Sequence, residues 1–249
     1  MSNLIILLLL GTIIGSFLNV CIHRIPLHKS VVGYRSHCPK CDIPIKWYDL
    51  VPIASWFILN GHCRNCGAPI SCRYSLIEFL TGIIFVFCLL IFNISHSLIT
   101  AIIFSCFLVV ITFIDIDHQL ILDKVLVWLA GTGVAINLWL NSLNILDMLL
   151  AAFVGGGIML VIAVASRGGM GGGDIKFAAA LGIWLGWKLT LLTLFLAFIL
   201  GGLGGGIVLL LKLKGRKDYI PFGPFIALGA FISLLYGNQI INWYITNFL

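Results

Sequence analysis

The sequence predicts an all-α polytopic membrane protein of about eight transmembrane helices, with a polar, cysteine-bearing loop after the first. Three observations carry that prediction. Of 249 residues, 61% are hydrophobic and 10% charged, against roughly 45–50% and 25% in soluble domains, and the mean hydropathy is +1.13. The apolar residues form long runs, and a bilayer core takes about 20 of them per helix. Most charges fall between the runs.

Taken in order, the candidate spans are 3–22, 75–93, 97–115, 124–140, 147–166, 175–187, 189–211 and 220–247. The first run has no basic segment before it and no small-residue cleavage site before Arg24, so it is expected to stay as a helix. The sixth is short, with Lys188 marking its end. Seven of the 15 Lys and Arg residues lie in 23–74. Lys124, Arg167, Lys176 and the run Lys212, Lys214, Arg216, Lys217 fall in alternate later connections. Those connections share the cytosolic side if both termini face outward, and Lys188 is then the one cation in the opposite connections. The expected location is the inner (cytoplasmic) membrane, multi-pass, with the lipid bilayer as surroundings. The basic clusters lack the interleaved aromatic ladder of a single-strand binder, so no nucleic acid partner is expected. The expected domains are 1–22, a first transmembrane helix; 23–74, a cytosolic zinc-binding loop; and 75–249, a membrane domain of about seven helices.

Gly201-Gly202-Leu203-Gly204-Gly205-Gly206 sits inside an apolar span and lacks the Lys-Ser/Thr ending of a phosphate loop. Close helix packing through small residues is the expected role. No long-period repeat and no low-complexity linker are expected.

Cys38-Pro39-Lys40-Cys41 and Cys63-Arg64-Asn65-Cys66-Gly67 are two C-x2-C pairs 21 residues apart. Each pair can place two thiolates on one tight turn, and Gly67 allows the positive φ such turns often need. Four thiolates close a tetrahedral Zn²⁺ shell with no open position, which makes the site structural. Lys40, Lys46, Arg64 and Arg73 offset part of its negative charge. Two disulfides or four buried thiols are the competing readings, and a reducing cytosol disfavours the disulfides. A loop with so few apolar residues would draw its folding energy largely from the metal. Cys21, Cys88 and Cys106 fall in apolar spans as small core residues, and Cys72 has no partner at ligand spacing.

Nine acidic residues are few enough to take singly, because an ionised side chain inside a membrane helix is costly. Helix capping accounts for Glu78, Asp147 and Asp123; Asp42, Asp49 and Asp218 lie in polar loops. Asp115, Asp117 and Asp174 remain. Asp115 and Asp117 are about 200° apart on a helix and do not share a face. Asp115 ends an inward-running span and Asp174 begins an outward-running one, so the topology puts both at the same membrane depth. Gly168-Gly169-Met170-Gly171-Gly172-Gly173 precedes Asp174 and lets backbone or an extended substrate approach. Two facing carboxylates do not both ionise cheaply, so one keeps a proton while the other is charged, which equips the pair to activate water and protonate a leaving amine. Simple capping of two helix ends remains the alternative.

At this point the residues resemble a family. Gly15-Ser16-Phe17-Leu18-Asn19-Val20, His23-Arg24-Ile25-Pro26, Trp47-Tyr48-Asp49, the two C-x2-C pairs, Cys66 to Ser71, Arg73-Tyr74 and Glu78 are similar to the N-terminal pattern of bacterial type IV prepilin peptidases. These enzymes form part of the Gly-x-Gly-Asp group of membrane aspartyl proteases. Gly171-Gly172-Gly173-Asp174-Ile175-Lys176 resembles their active-site signature and Pro221-Phe222-Gly223-Pro224-Phe225 their C-terminal motif. The resemblance implies catalytic Asp115 and Asp174 at the cytoplasmic face, and structural zinc on Cys38, Cys41, Cys63 and Cys66. It also implies prepilin or pseudopilin precursors as partners, with a short basic leader ending in Gly before a hydrophobic helix that commonly starts with Phe. N-methylation of the new terminus with S-adenosyl-L-methionine is implied by resemblance alone. The residues that bind this cofactor are unknown, and a site between the zinc loop and the membrane surface is the expectation. Leu122 stands where the family usually has Pro, and Asp117 is a supporting candidate.

Competing readings are a peptidase without methyltransferase activity, a metal-ion transporter whose carboxylates line a pathway, and a non-catalytic scaffold of pilus assembly. A transporter calls for aspartates spread across the bilayer, and a scaffold makes them dispensable.

Overall fold

A computed structural model describes residues 2–33, 36–166, 169–211 and 220–248. The helices are α1 (Ser2–Arg24), α2 (Ala54–Ile58), α3 (Arg73–Phe92), α4 (His96–His118), α5 (Asp123–Leu140), α6 (Ile145–Ala165), α7 (Gly172–Leu210) and α8 (Gly223–Phe248), with a 3-10 turn at Trp47–Leu50. All but α2 are long and apolar enough to cross a membrane, seven helices among the described residues. Contacts divide the chain into two units, Met1–Val110 and Ile111–Leu249, and α4 runs from the first into the second.

In the first unit α1 and α3 lie antiparallel in a register set by glycine. A Cβ on Gly11 would come within 2.7 Å of Gly82 Cα, and one on Gly15 within 2.7 Å of Glu78 Cα. Gly11 and Gly15 form a G-x3-G face that brings the two backbones together. Asn19 Nδ2 donates to Tyr74 O at 3.0 Å, one turn further on. Cys21 and Cys88 are buried as expected, while Cys106 is half-buried. Cys88 Sγ lies 3.9 Å from Ser105 Oγ of α4.

In the second unit α7 is two helices. Gly186 has φ 75° and ψ 167°, which is not helical. A Cβ on Gly155 of α6 would meet Ala178 O at 2.6 Å and Thr190 Cγ2 at 2.9 Å. Those residues would be roughly 18 Å apart along a straight helix, so the chain folds back at Gly186. The expected sixth and seventh spans are therefore separate segments, 172–185 and 187–210, and the boundary lies two residues before Lys188. Asn137 Nδ2 donates to Ile183 O at 2.8 Å and so covers a carbonyl at the end of the first segment. Trp184 Nε1 donates to Leu129 O at 2.6 Å, and Gly133 leaves room for its ring. Gly182 packs directly on the Ala151 backbone.

The glycine run of the second segment admits rings rather than another backbone. A Cβ on Gly201 would strike Phe222, and one on Gly204 would strike Phe225 at 2.6 Å, while Gly202 and Gly206 face open space. Two capping expectations are corrected. Asn144 caps α6 by accepting Asp147 N–H at 2.9 Å, and Leu122 occupies the N-cap position of α5, which leaves Asp123 inside its first turn. Arg167, Gly168 and the 212–217 basic run lie outside the described residues.

Candidate active site and thiolate cluster

The first unit holds the cysteines. Their four sulfurs lie within 4.8 Å of one another, and Cys38 Sγ is 3.8 Å from Cys66 Sγ. A tetrahedron with Zn–S near 2.3 Å has edges of roughly 3.8 Å, so the cluster fits a zinc site. None of the eight cysteines is joined in a disulfide.

Each pair sits on the same turn, built twice. His37-Cys38-Pro39-Lys40-Cys41-Asp42-Ile43-Pro44-Ile45 and His62-Cys63-Arg64-Asn65-Cys66-Gly67-Ala68-Pro69-Ile70 share H-C-x2-C-x2-P-I. Cys38 N donates to Ile43 O and Asp42 N to Cys38 O; Cys63 N donates to Ala68 O and Gly67 N to Cys63 O. Bridges His37↔Pro44 and His62↔Pro69 close the two turns. Gly67 has φ 67°, as expected, and Asp42 takes the equivalent place at φ 57°. Asp tolerates that left-handed conformation better than most residues. This short doubled turn is a local motif that the expectation of no long-period repeat does not address.

Backbone N–H groups aimed at the sulfur, first that of Cys41 and then that of Lys40, lower the Cys38 thiol to about 6. At Cys41 the Ile43 N–H pulls the other way but is outweighed by burial and the Cys66 and Cys38 sulfurs, leaving about 11. Arg64 grips Asp49 with two nitrogens, Nε to Oδ2 at 2.9 Å and Nη2 to Oδ1 at 2.7 Å. That ties the 3-10 turn to the second cysteine turn and holds the Asp49 carboxyl below its ordinary range. Cys72, exposed, precedes α3 outside the cluster.

The second unit brings Asp115 and Asp174 together. Each is 3% exposed, and the two carboxylates are close enough to interact electrostatically. Asp115 lies in the last turn of α4, where the helix end is electronegative. The first N–H of α8 compensates: Gly223 N donates to Asp115 Oδ2 at 3.0 Å. Asp174 lies in the first turn of α7, and Gly171 N–H donates to its carboxylate. Ile121 packs against the starts of both α7 and α8, since Cβ atoms on Gly173 and Gly223 would meet it at 2.9 and 3.3 Å. What approaches Gly173 is thus this chain's own Ile121, while Gly172 faces open space.

Asp117 is exposed, as its 200° offset from buried Asp115 requires. Leu122 has φ −78°, within the range proline imposes, so the turn after Asp115 keeps a proline-compatible backbone. Lys176 Nζ meets both Asp123 oxygens at 2.8 Å, tying the start of α7 to that of α5. The residue that reading the acids singly misses is Gly223, since a backbone N–H leaves no mark in composition; the only signal was the Pro221-Phe222-Gly223-Pro224 motif. Glu78 is also more than a cap: buried in α3, it accepts Ile53 N–H at 2.7 Å.

Residues 9–92 match the bacterial peptidase A24 N-terminal domain, and residues 102–206 match the type IV leader peptidase family. The chain is 34% identical to a prepilin leader peptidase/N-methyltransferase of Aeromonas hydrophila, over 97% of this chain and 93% of that protein. It is 35% identical to the protein of that name from Bacillus subtilis (strain 168), over 96% and 97%. For the one from Legionella pneumophila the identity is 31%, over 93% and 91%. No solved structure matches the chain at comparable stringency. With both halves matched in order and relatives aligned end to end, the chain belongs to the type IV leader peptidase family.

Proposed function

We propose that this protein is a membrane aspartyl endopeptidase that removes the short basic leader from type IV prepilin-like precursors at the cytoplasmic membrane face and N-methylates the residue so exposed. The observation that carries the peptidase reading is the buried, electrostatically coupled pair Asp115 and Asp174, each at a helix end and each receiving a backbone N–H. Such a pair divides acid and base work between two like groups. The charged carboxylate takes a proton from water as the water oxygen adds to the scissile carbonyl carbon. The protonated one hydrogen-bonds the carbonyl oxygen and then supplies the proton the amine needs as the C–N bond breaks. The proton belongs to the pair, so neither residue is assigned it alone.

Cys38, Cys41, Cys63 and Cys66 would hold Zn²⁺, whose closed shell supplies folding energy rather than catalysis. S-adenosyl-L-methionine would supply the methyl group, at a site placed between the zinc loop and the membrane surface. Residues 1–22, 23–74 and 75–249 serve as first helix, zinc-binding loop and peptidase domain, in the inner membrane. Asp117 supports rather than performs the chemistry.

The test is mass spectrometry of a full-length prepilin incubated with the purified enzyme in lipid, with and without S-adenosyl-L-methionine, beside Asp174→Asn. Leader loss only with intact Asp174, and one added methyl only with the cofactor, is the expected result. Cleavage without methylation would reduce the protein to a peptidase, and cleavage by Asp174→Asn would remove the dyad. Unchanged methylation by a folded Cys63→Ser protein would remove the methyl-donor site from the zinc loop.

A further inference from the structure

The segment from the 3-10 turn to α2 keeps an apolar face uncovered although it belongs to the polar loop. Phe57 is 64% exposed, Ile58 72% and Trp47 81%, with Leu50 and Val51 also exposed. The opposite side of α2 is anchored: Trp56 Nε1 donates to Ile70 O at 3.0 Å, and the Trp56 ring lies where a Gly61 Cβ would meet it at 3.0 Å.

The start of α2 is pinned at a defined depth. Ile53 forms a positive-φ γ-turn, φ 62° and ψ −56°, closed by Ala54 N–H to Pro52 O at 2.6 Å. This turn is rare, and strained for a β-branched residue. Its N–H is aimed away from the loop at Glu78 Oε2, 2.7 Å away on α3, and Ser16 of α1 donates to the same carboxyl. Glu78 lies five residues inside α3, about 7.5 Å along the axis from Arg73. All 20 residues of α3 are needed to span a hydrocarbon core of about 30 Å. Ile53, at the start of α2, is therefore held beside the spanning helices within about two turns of the α3 end, where α3 itself exposes Leu76 and Phe79, and α2 leads from there back to Ile70, just outside that end. A depth of about 5–10 Å is where interfacial helices bury their apolar faces.

We infer that residues 47–58 form an interfacial element that seats Trp47, Phe57 and Ile58 in the headgroup and upper acyl region of the bilayer, with anionic lipid as its partner. The charge agrees: 23–74 carries seven Lys and Arg against Asp42 and Asp49, and exposed Lys46 stands next to Trp47, the pairing that anchors membrane interfaces. A basic precursor leader is repelled by the same charge, which favours lipid over substrate as the occupant. The inference rests on the fold; only the preference for lipid over substrate draws on the proposed function.

The experiment places photoreactive benzoyl-phenylalanine at Phe57, and separately at the exposed polar control Asn65, in the full-length, zinc-loaded protein. The protein is reconstituted in phosphatidylethanolamine and phosphatidylglycerol vesicles without substrate, irradiated, and the peptides are weighed. Lipid adducts at position 57, at least about tenfold above position 65 and enriched in phosphatidylglycerol, are expected. Equal adducts at both positions, no lipid adduct at 57, adducts to a second copy of the chain, or adducts that form only when a prepilin is added and then to the prepilin, would each overturn the inference.

Discussion

Gly223→Ala isolates the placement of one carboxylate without deleting it. The added Cβ would stand 2.6 Å from Asp115 Oδ2 and 3.2 Å from its Cγ. Ordinary contact needs about 0.8 Å more room. Gly223 does not have a left-handed φ, so alanine strains no backbone and the effect falls on the carboxylate. The Gly223 N–H to Oδ2 bond, 3.0 Å long, would stretch beyond hydrogen-bonding range. A hydrogen bond to a charged group contributes about 1.5–3 kcal/mol, so kcat for leader cleavage should fall about ten- to 150-fold. KM should change little and the helical content not at all, because the proposed role of Asp115 is at the reacting atoms and not at the precursor's helix. Gly202→Ala, whose new methyl enters open space, is the control and should stay within about twofold. Steady-state cleavage of a prepilin in proteoliposomes measures both. Full activity in Gly223→Ala would refute the view that the first turn of α8 sets the position of Asp115.

Three further outcomes are expected. Lys176→Met removes an exposed ion pair with Asp123 that contributes about 1 kcal/mol at most, so cleavage should slow by less than about fivefold; a thousandfold loss would put Lys176 in the chemistry. Gly15→Val drives two methyl groups into the Glu78 backbone and Thr81 and should cost about 1–3 kcal/mol, seen as a lower Tm in detergent; an unchanged Tm would contradict the α1–α3 register. Elemental analysis should find one zinc per chain, lost in Cys63→Ser, and chelation should open residues 25–72 to protease while the spanning helices stay protected; a metal-free loop that resists protease would contradict zinc-coupled folding.

The helices and the chemically unusual residues were legible in the sequence, because both follow from the cost of polar groups in a bilayer. Asp115, Asp174 and the four cysteines stood out by rarity and spacing. How they are held did not. Lys188 signalled the break in α7 only approximately, since the turn needs the positive φ of Gly186 and one glycine among 27 carries no label. Glu78 passed for a cap because its partner, Ile53 N–H, lies 25 residues earlier in a strained turn, and no periodicity encodes such a contact. Asp147 reads as one as well, although Asn144, three residues earlier, is an equally good capping residue and holds the N-cap position. The doubled cysteine turn was visible as H-C-x2-C-x2-P-I at both ends of the loop, but its meaning rests on backbone hydrogen bonds that appear only in three dimensions.

The central claim is that Asp115 and Asp174 work as one unit. Single-turnover cleavage of a full-length prepilin by Asp115→Asn, Asp174→Asn and the double variant in proteoliposomes tests it most directly. Groups that share one reaction step are strongly non-additive, so each single variant should lose nearly as much rate as the double. Losses that multiply, or a single variant that cleaves at close to the unaltered rate, would contradict it.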